Sequence, residues 1–236
     1  MYKNLRVGAI IAAAGKSSRM GNINKLFIKL GRREILAEVL NVFSSTSCID
    51  SIVIVCGEDT VDRCRKDIVE KYSISKVSKI IPGGAERQFS VLKGLIALYG
   101  MCDIVLIHDG ARPFVREETI KKSVEEAYIY GAAACAVPVK DTIKIVDSDK
   151  FTLNTPDRNK VYAVQTPQAF KYNIIYDAHI KAKKSGFIGT DDTMLVERAG
   201  SRVKLFEGSY DNIKITTPDD IYIAEAIIKH RNNTDF

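Results

Sequence analysis

Short apolar runs of strand character recur along the chain, most of them followed by a helical pattern, and that alternation restricts the fold more than any other feature. Val7 to Ala12, Ser51 to Cys56, Val77 to Ile81, Asp103 to Ile107 and Ala132 to Val139 read as strands. Between them, Ile35, Leu36, Val39, Leu40, Val42 and Phe43 repeat at helical spacing. Thr60 to Tyr72 reads as a charged helix, Leu92, Leu95, Ile96 and Tyr99 mark another, and Glu117 to Tyr130 a further one closed by Gly131. Strands alternating with crossover helices require a Rossmann-like α/β fold, a mostly parallel sheet with helices on both faces. One domain of this kind accommodates all 236 residues.

Beyond Ala132 to Val139 the pattern changes. Residues 140–165 hold an alternating stretch, T-I-K-I-V, a turn through Asp147, Ser148 and Asp149, and a polar stretch with Pro156 and Arg158. This predicts an extended β-hairpin arm leaving the domain, a pattern that a disordered surface insertion would share. An arm that cannot bury its own apolar side chains needs a partner to lie on, so a homodimer is expected. Gln165, Thr166, Pro167 and Gln168 then lead into a helix over Lys171 to Lys184, and Thr190 is expected to cap another, with Asp191 and Asp192 in its first turn. Val203 to Phe206 and Ile213 to Thr216 read as strands, Thr217-Pro218-Asp219-Asp220 as the start of a last helix reaching His230, and Asn232 to Phe236 as a frayed tail.

The first strand runs into V-G-A-I-I-A-A-A-G-K-S-S-R-M-G, Val7 to Gly21. Small residues let a loop approach a ligand closely, and Arg19 and Lys25 add fixed positive charge beside it. That combination suits a polyphosphate. It is not a P-loop, because Ile10 stands where that motif needs its first glycine, and it is not G-x-G-x-x-G, because Ser17 follows where a second glycine belongs. It resembles the signature loop of sugar nucleotidyltransferases. The segment His108-Asp109-Gly110-Ala111-Arg112-Pro113 ends another strand, where ligands of open α/β sheets sit. Asp109 there is either a metal-facing carboxylate or a turn-forming Asp before Gly.

Composition excludes several classes. Lys plus Arg number 35 against 29 Asp plus Glu, a net +6, which fits a small anionic substrate better than nucleic acid. The five cysteines form no C-x-x-C pair, which predicts reduced structural thiols, and with three histidines a zinc site is not expected. No run reaches membrane-spanning length and the N-terminus carries no signal-peptide pattern, so a cytoplasmic protein is expected.

Taken together, A-A-A-G-K-S-S-R-M-G, G-G-A-E-R-Q-F-S-V, H-D-G-A-R-P, V-P-V-K-D-T-I-K, D-R-N, Q-T-P-Q, T-D-D and D-N-I-K-I-T-T-P-D-D occur in that order. The set closely resembles the 2-C-methyl-D-erythritol 4-phosphate cytidylyltransferase family of non-mevalonate isoprenoid synthesis, over about residues 5–228. The resemblance implies a fold of the nucleotide-diphospho-sugar transferase type. It also implies a reaction in which the alcohol phosphate attacks the α-phosphorus of CTP, with Mg2+ present, releasing pyrophosphate. Arg19 and Lys25 would hold the triphosphate, Ala13, Ala14 and Gly15 would offer it backbone groups, and Gly84 and Ser90 would read the cytosine edge. Asp109 would bind magnesium, and Arg112 would buttress the site. Thr142 and Arg158 would reach across a dimer to the acceptor phosphate, Arg158 and Lys214 would orient its attacking oxygen, and Thr166 and Thr190 would add substrate contacts.

The chain departs from the family pattern at Ala12, Ser17, Asn24, Leu26, Ala85 and Phe89, the last two bearing on base and ribose contacts. Ribitol 5-phosphate cytidylyltransferases share the loop, the arm and Q-T-P, but not A-A-A-G, H-D-G-A-R-P or V-K-D-T-I-K. A glycosyltransferase would need a D-x-D at a strand end, and the D-x-D here, Asp147 to Asp149, sits in the arm turn. A binding-only nucleotide module is the remaining reading of another class.

Overall fold

The computed structural model describes residues 1–15 and 24–234. In chain order the strands and helices are β1 (Val7–Ala13), the two-residue strands β2 (Lys29–Leu30) and β3 (Arg33–Glu34), α1 (Ile35–Ser45), β4 (Ser51–Cys56), α2 (Val61–Arg63), β5 (Val77–Pro82) and α3 (Arg87–Ala97). There follow β6 (Ile104–Asp109), α4 (Glu117–Tyr130), β7 (Ala132–Pro138), β8 (Ile145–Val146), β9 (Thr152–Asn154), β10 (Tyr162–Lys171), α5 (Tyr172–Ser185), α6 (Asp192–Arg198), β11 (Lys204–Glu207) and α7 (Asp219–Thr234). Seven strands form one sheet in the order β11-β7-β10-β6-β1-β4-β5. All run parallel except β10, which is antiparallel to both its neighbours.

The strand residues alternate between two cores, as a sheet covered on both faces demands. Ile11, Ile52, Ile54, Ile104 and Leu106 pack with α1, α4 and α7 on one face. Ile10, Val53, Val55, Val105 and Ile107 pack with α3, α5 and α6 on the other. The expected α/β class is therefore borne out, and the sequence runs located six of the seven strands of this sheet to within two residues. α4 ends at Gly131, whose φ of 86° gives the left-handed stop that a side chain would resist. The charged helix expected from Thr60 to Tyr72 is helical but irregular: a 3-10 turn at Glu58–Thr60, α2, then a π-helix at Cys64–Glu70.

Four expectations need correction. First, β10 was not anticipated as a strand. Its register slips between Val164 and Gln168, around Gln165, Thr166 and Pro167, so the polar run breaks the alternation that marks a strand. Burial of that run is compensated by hydrogen bonds, Gln165 Nε2 to Ser209 O (2.8 Å) and Gln168 Nε2 to Asp191 Oδ2 (2.8 Å) among them. Second, residues 213–216 form no strand but an irregular strap along the loop after β6, with Ile215 N bonded to Ala111 O at 2.9 Å. Third, Asp191 and not Thr190 caps α6, accepting from Met194 N at 2.9 Å. Fourth, α7 continues past His230 to Thr234, and residues 235–236 lie outside the described residues.

Between β7 and β10 the chain makes its excursion. β8 and β9 pair antiparallel across a turn in which Asp147 Oδ1 accepts from Asp149 N and Phe151 N at 3.0 and 2.9 Å. Within T-I-K-I-V only Ile145 and Val146 lie in a strand, while Tyr162 onward belongs to the main sheet. Ile145, Phe151 and Leu153 are exposed.

Candidate active site

Three of the parallel strands, β1, β5 and β6, point their carboxyl ends at one cavity of about 350 Å3. Ala12 to Gly15 line it from the end of β1, Gly84 to Arg87 and Ser90 from the turn after β5, and Asp109 and Ala111 from the end of β6. Lys25 and Leu26 close one side, and Lys214 and Thr216 another. The cavity thus brings together Ala13, Ala14, Gly15, Lys25, Gly84, Ser90, Asp109 and Lys214 of the residues expected from sequence. Arg19 lies outside the described residues.

The glycine turn is built for close approach. A Cβ on Gly83 would lie 2.5 Å from the Ala14 Cβ and 2.8 Å from Ser90 Oγ. Ser90 holds the turn from beneath, accepting from Gly84 N at 3.0 Å and donating to Glu86 O at 3.1 Å. With that hydroxyl hydrogen committed, Ser90 can offer a ligand only a lone pair. Asn24, one of the departures from the family pattern, caps the 3-10 turn Lys25–Phe27, its side chain accepting from Leu26 N at 3.2 Å. The turn fixes the backbone from which Lys25 enters the cavity wall.

Asp109 is the electrostatic centre. Lys214 Nζ lies 2.9 Å from its Oδ2, Arg112 Nε 3.7 Å from the same oxygen, and Arg87 Nε 3.2 Å from Oδ1. Burial alone would raise this carboxyl's pKa, but the charges of Arg87, Lys214 and Arg112 overcome it and hold it well below the usual carboxylate range. Lys214 reaches this position because its irregular strap is tied down. Arg112 Nη1 donates to Asn212 O (2.7 Å), Asn212 Nδ2 to Thr166 O (2.9 Å), and Asp220 Oδ2 accepts from Thr216 N and Thr217 N (2.7 and 2.8 Å). The first turn of α7, at the helix start expected near Thr217, thus anchors the strap through the Asp220 carboxylate.

His108 is buried, and loss of solvation pushes its pKa down to about 4, so the ring is neutral near pH 7. Its Nε2 faces Arg112 O at 3.2 Å, and a carbonyl only accepts, so Nε2 carries the proton. Nδ1 must then accept from Thr166 Oγ1 at 3.0 Å, while that oxygen accepts from Asp109 N at 3.1 Å. Thr166 is thus a buried brace of the loop after β6, with a lone pair and no proton to spare. Thr190 is exposed, its hydroxyl donating to Met194 Sδ at 3.6 Å. Thr142 and Arg158 are exposed on the excursion and line no part of this chain's cavity; Arg158 Nη1 bonds Lys140 O at 3.2 Å.

Arg87 escaped the sequence reading. It is the first residue of α3, where a cation opposes the helix dipole, and that misplacement was the available signal. It is tolerated because two acids flank it, Asp109 and, through Nη1 at 2.7 Å, Asp192.

The donor set does not fit a resident magnesium ion. The cavity wall carries two carboxylates, Glu86 and Asp109, of which Asp109 is already met by three cations, and no group of three or more His, Cys, Asp or Glu suited to a metal occurs among the described residues. Asp211 is engaged elsewhere, with Arg116 and Arg231 at 3.3 and 3.7 Å. All five cysteines are free, buried thiols, and among the described residues no helix is long and apolar enough to cross a membrane.

A parallel sheet whose carboxyl edge presents a glycine turn, a small-residue loop and clustered cations to one cavity defines an α/β nucleotide-handling protein. Comparison with known sequences makes this specific: residues 7–230 match the sequence model of the 2-C-methyl-D-erythritol 4-phosphate cytidylyltransferase family, and the chain belongs to that family. It is 51% identical over 222 residues to the protein of that name from Clostridium acetobutylicum, covering 94% of this chain and 96% of the relative. It is 46% identical over 226 residues to that from Caldanaerobacter subterraneus, covering 95% and 100%. The crystal structure of 4-diphosphocytidyl-2C-methyl-D-erythritol synthase from Anaerococcus prevotii superposes with a TM-score of 0.86 at 37% identity, covering 95% of this chain and 96% of that one. The Thermus thermophilus 2-C-methyl-D-erythritol 4-phosphate cytidylyltransferase gives 0.77 at 30% identity, covering 95% and 100%.

Proposed function

We propose that this cavity transfers CMP from CTP to 2-C-methyl-D-erythritol 4-phosphate, forming 4-diphosphocytidyl-2-C-methyl-D-erythritol and pyrophosphate. The observation that carries the reading, beside family membership, is the cluster of Lys25, Lys214 and Arg87 around a cavity walled by Ala13 to Gly15 and Gly84. An oxygen of the acceptor phosphate forms a bond to the α-phosphorus as the bond from that phosphorus to the β-phosphate bridging oxygen breaks, and the electron pair leaves on pyrophosphate. A phosphate monoester, with a second pKa of about 6, is already mostly dianionic at neutral pH, so no general base is required. The obstacle is repulsion between two polyanions, each pair of unit charges about 4 Å apart costing roughly 1 kcal/mol in water and more at lower effective dielectric.

Fixed cations answer that repulsion. In this reading Lys25 and Arg19 hold the triphosphate and the charge of the pentacoordinate transition state, while Ala13, Ala14 and Gly15 present backbone groups to it. Gly84 and the Ser90 lone pair face the base. Lys214 orients the attacking oxygen, leaving Asp109 to take the acceptor's side of the site, with Arg112 holding the loop behind. Magnesium would come with the triphosphate as part of the co-substrate and would neutralise part of its charge; the carboxylates on the cavity wall are Glu86 and Asp109. Arg158 and Thr142 serve the acceptor phosphate of a second copy, which the exposed apolar residues of the hairpin support; Thr166 acts on the site from behind, through Asp109 N and His108, and Thr190 stands exposed outside the cavity wall. The free thiols fit a reducing, cytoplasmic compartment.

The test is pyrophosphate release from CTP and magnesium with methylerythritol phosphate and ribitol 5-phosphate in parallel. Release with the first alone is expected. Release with the second alone would transfer the protein to ribitol chemistry, and silence with both would leave a nucleotide-binding module.

A further inference from the structure

We propose that Asp192, outside the cavity wall, is a positioning residue for the transfer reaction, acting through Arg87 on Asp109 and Lys214, with His179 fixing Asp192 from behind. The inference rests on the assignment of Lys214 to the attacking phosphate. Asp192 is the first residue of α6 and is 1% exposed. Three elements hold it. Its Oδ1 accepts from His179 Nε2 of α5 at 3.1 Å, its backbone N donates to Gln168 Oε1 of β10 at 3.2 Å, and its Oδ2 accepts from Arg87 Nη1 at 2.7 Å. Because a carboxylate only accepts, His179 presents its Nε2–H to Asp192, and its Nδ1 is buried without a hydrogen-bond partner. A histidine left with an orphaned nitrogen in a fully buried position is costly, so its contact with Asp192 is what it is there to make.

The consequence lies in how Arg87 is shared. A guanidinium fork matches a carboxylate bidentately when nothing else claims it. Here Arg87 gives Nε to Asp109 Oδ1 at 3.2 Å and Nη1 to Asp192 at 2.7 Å, so the shorter of its two bonds anchors the guanidinium on Asp192 and holds it back from a closer approach to Asp109. Asp109 keeps Oδ2 for Lys214 at 2.9 Å and Arg112 at 3.7 Å. Asp192 therefore divides Arg87's charge between two acids and preserves the separation at which Lys214 stands ready beside the cavity. Without the Asp192 charge, Arg87 closes on Asp109 and Lys214 loses its counter-ion.

Asp192→Asn keeps the side chain's shape and removes the charge. Its kcat is expected to fall about 10- to 100-fold, the range typical of removing an outer partner of a site residue, with KM for CTP little changed. In an Arg87→Met background the same substitution is expected to add nothing further. A crystal structure of Asp192→Asn should show the Arg87 guanidinium bidentate on Asp109, a result that does not depend on which acceptor the enzyme uses. Wild-type kcat, an equal loss in both backgrounds, or an unmoved Arg87 would each overturn the proposal. Should Asp192→Asn not fold, His179→Leu leaves both charges in place and is expected to lower kcat several-fold with KM for CTP unchanged; unchanged kcat in that variant overturns the proposal equally.

Discussion

The surroundings of Asp109 and the hairpin at residues 145–154 lie at opposite extremes of how closely a chain specifies its own side chains. Asp109 is buried, and each carboxylate oxygen and its backbone N have partners contributed by α3, the loop after β6, the strap at 211–217 and β10. The hairpin has a two-strand ladder, an Asp147 turn and apolar side chains standing in solvent, Phe151 at 72% exposure. The first region is completed by its own chain, and the second is not. Charge placed where water is scarce has to be surrounded before chemistry begins, whereas apolar surface left uncovered waits for another molecule.

If the first half of that comparison is right, removing the centre of the charge cluster is the most damaging change. Asp109→Ala leaves Arg87, Arg112 and Lys214 facing one another with an acid gone, and is expected to cost about 3–5 kcal/mol of unfolding free energy, the scale for breaking a buried ion pair. Urea unfolding measures it, and a loss below about 1 kcal/mol, the ceiling for an exposed pair, would show the cluster to be solvent-screened. The same cluster sets an acid limit. Asp109 and Asp192 both have folded-state pKa values below their unfolded ones, despite burial that pushes the other way. Their contribution is thus complete above the unfolded carboxylate value of about 3.9 and is lost as pH falls through the folded values. Stability should drop steeply below about pH 4 in the wild type and less steeply in Asp109→Asn, so parallel acid limbs would contradict the assignment.

Next in size is the chemistry. Lys214→Ala and Lys25→Ala are each expected to lose at least about 2 kcal/mol of transition-state stabilisation, as for removal of one oxyanion donor, or about 30-fold in kcat/KM. Near-normal turnover in either variant would remove that lysine from the mechanism. Lys214 shows how unevenly the site could be read in advance. The motif D-N-I-K-I-T-T-P-D-D pointed to it, yet its segment was expected to be a strand. Ile213 and Ile215 alternate like strand residues, but the segment's backbone is held by Ala111 O, Arg112 and Asp220, contacts no local pattern announces. The strands β1, β4 and β6 were legible because an apolar run must be covered on both faces. β10 was not, because its buried glutamines and threonine are compensated chiefly by partners far along the chain. Arg87 hid for the same reason: its two acids lie 22 and 105 residues away.

Smaller effects sharpen the boundary of the well-specified region. Asn24→Ala removes the side-chain cap of the turn that presents Lys25, and is expected to cost about 1 kcal/mol of stability, the usual loss for such a cap, with KM for CTP raised more than kcat is lowered. An unchanged KM would mean that the 3-10 turn holds without its cap.

The smallest effect on the isolated chain is expected in the hairpin, and there the comparison is most exposed to test. Phe151 and Leu153 contribute little burial to their own subunit, so Phe151→Ser should change the unfolding free energy of the monomer by no more than about 0.5 kcal/mol, as surface substitutions do. If a second copy covers these side chains, the same substitution must instead appear in association. Light scattering should then show the wild type as a dimer at micromolar concentration and Phe151→Ser shifted toward monomer, with turnover falling in step, because Arg158 and Thr142 would no longer be delivered to a neighbouring cavity. A monomeric wild type with full turnover would leave the exposed hairpin unexplained and would return the acceptor site to residues of a single chain.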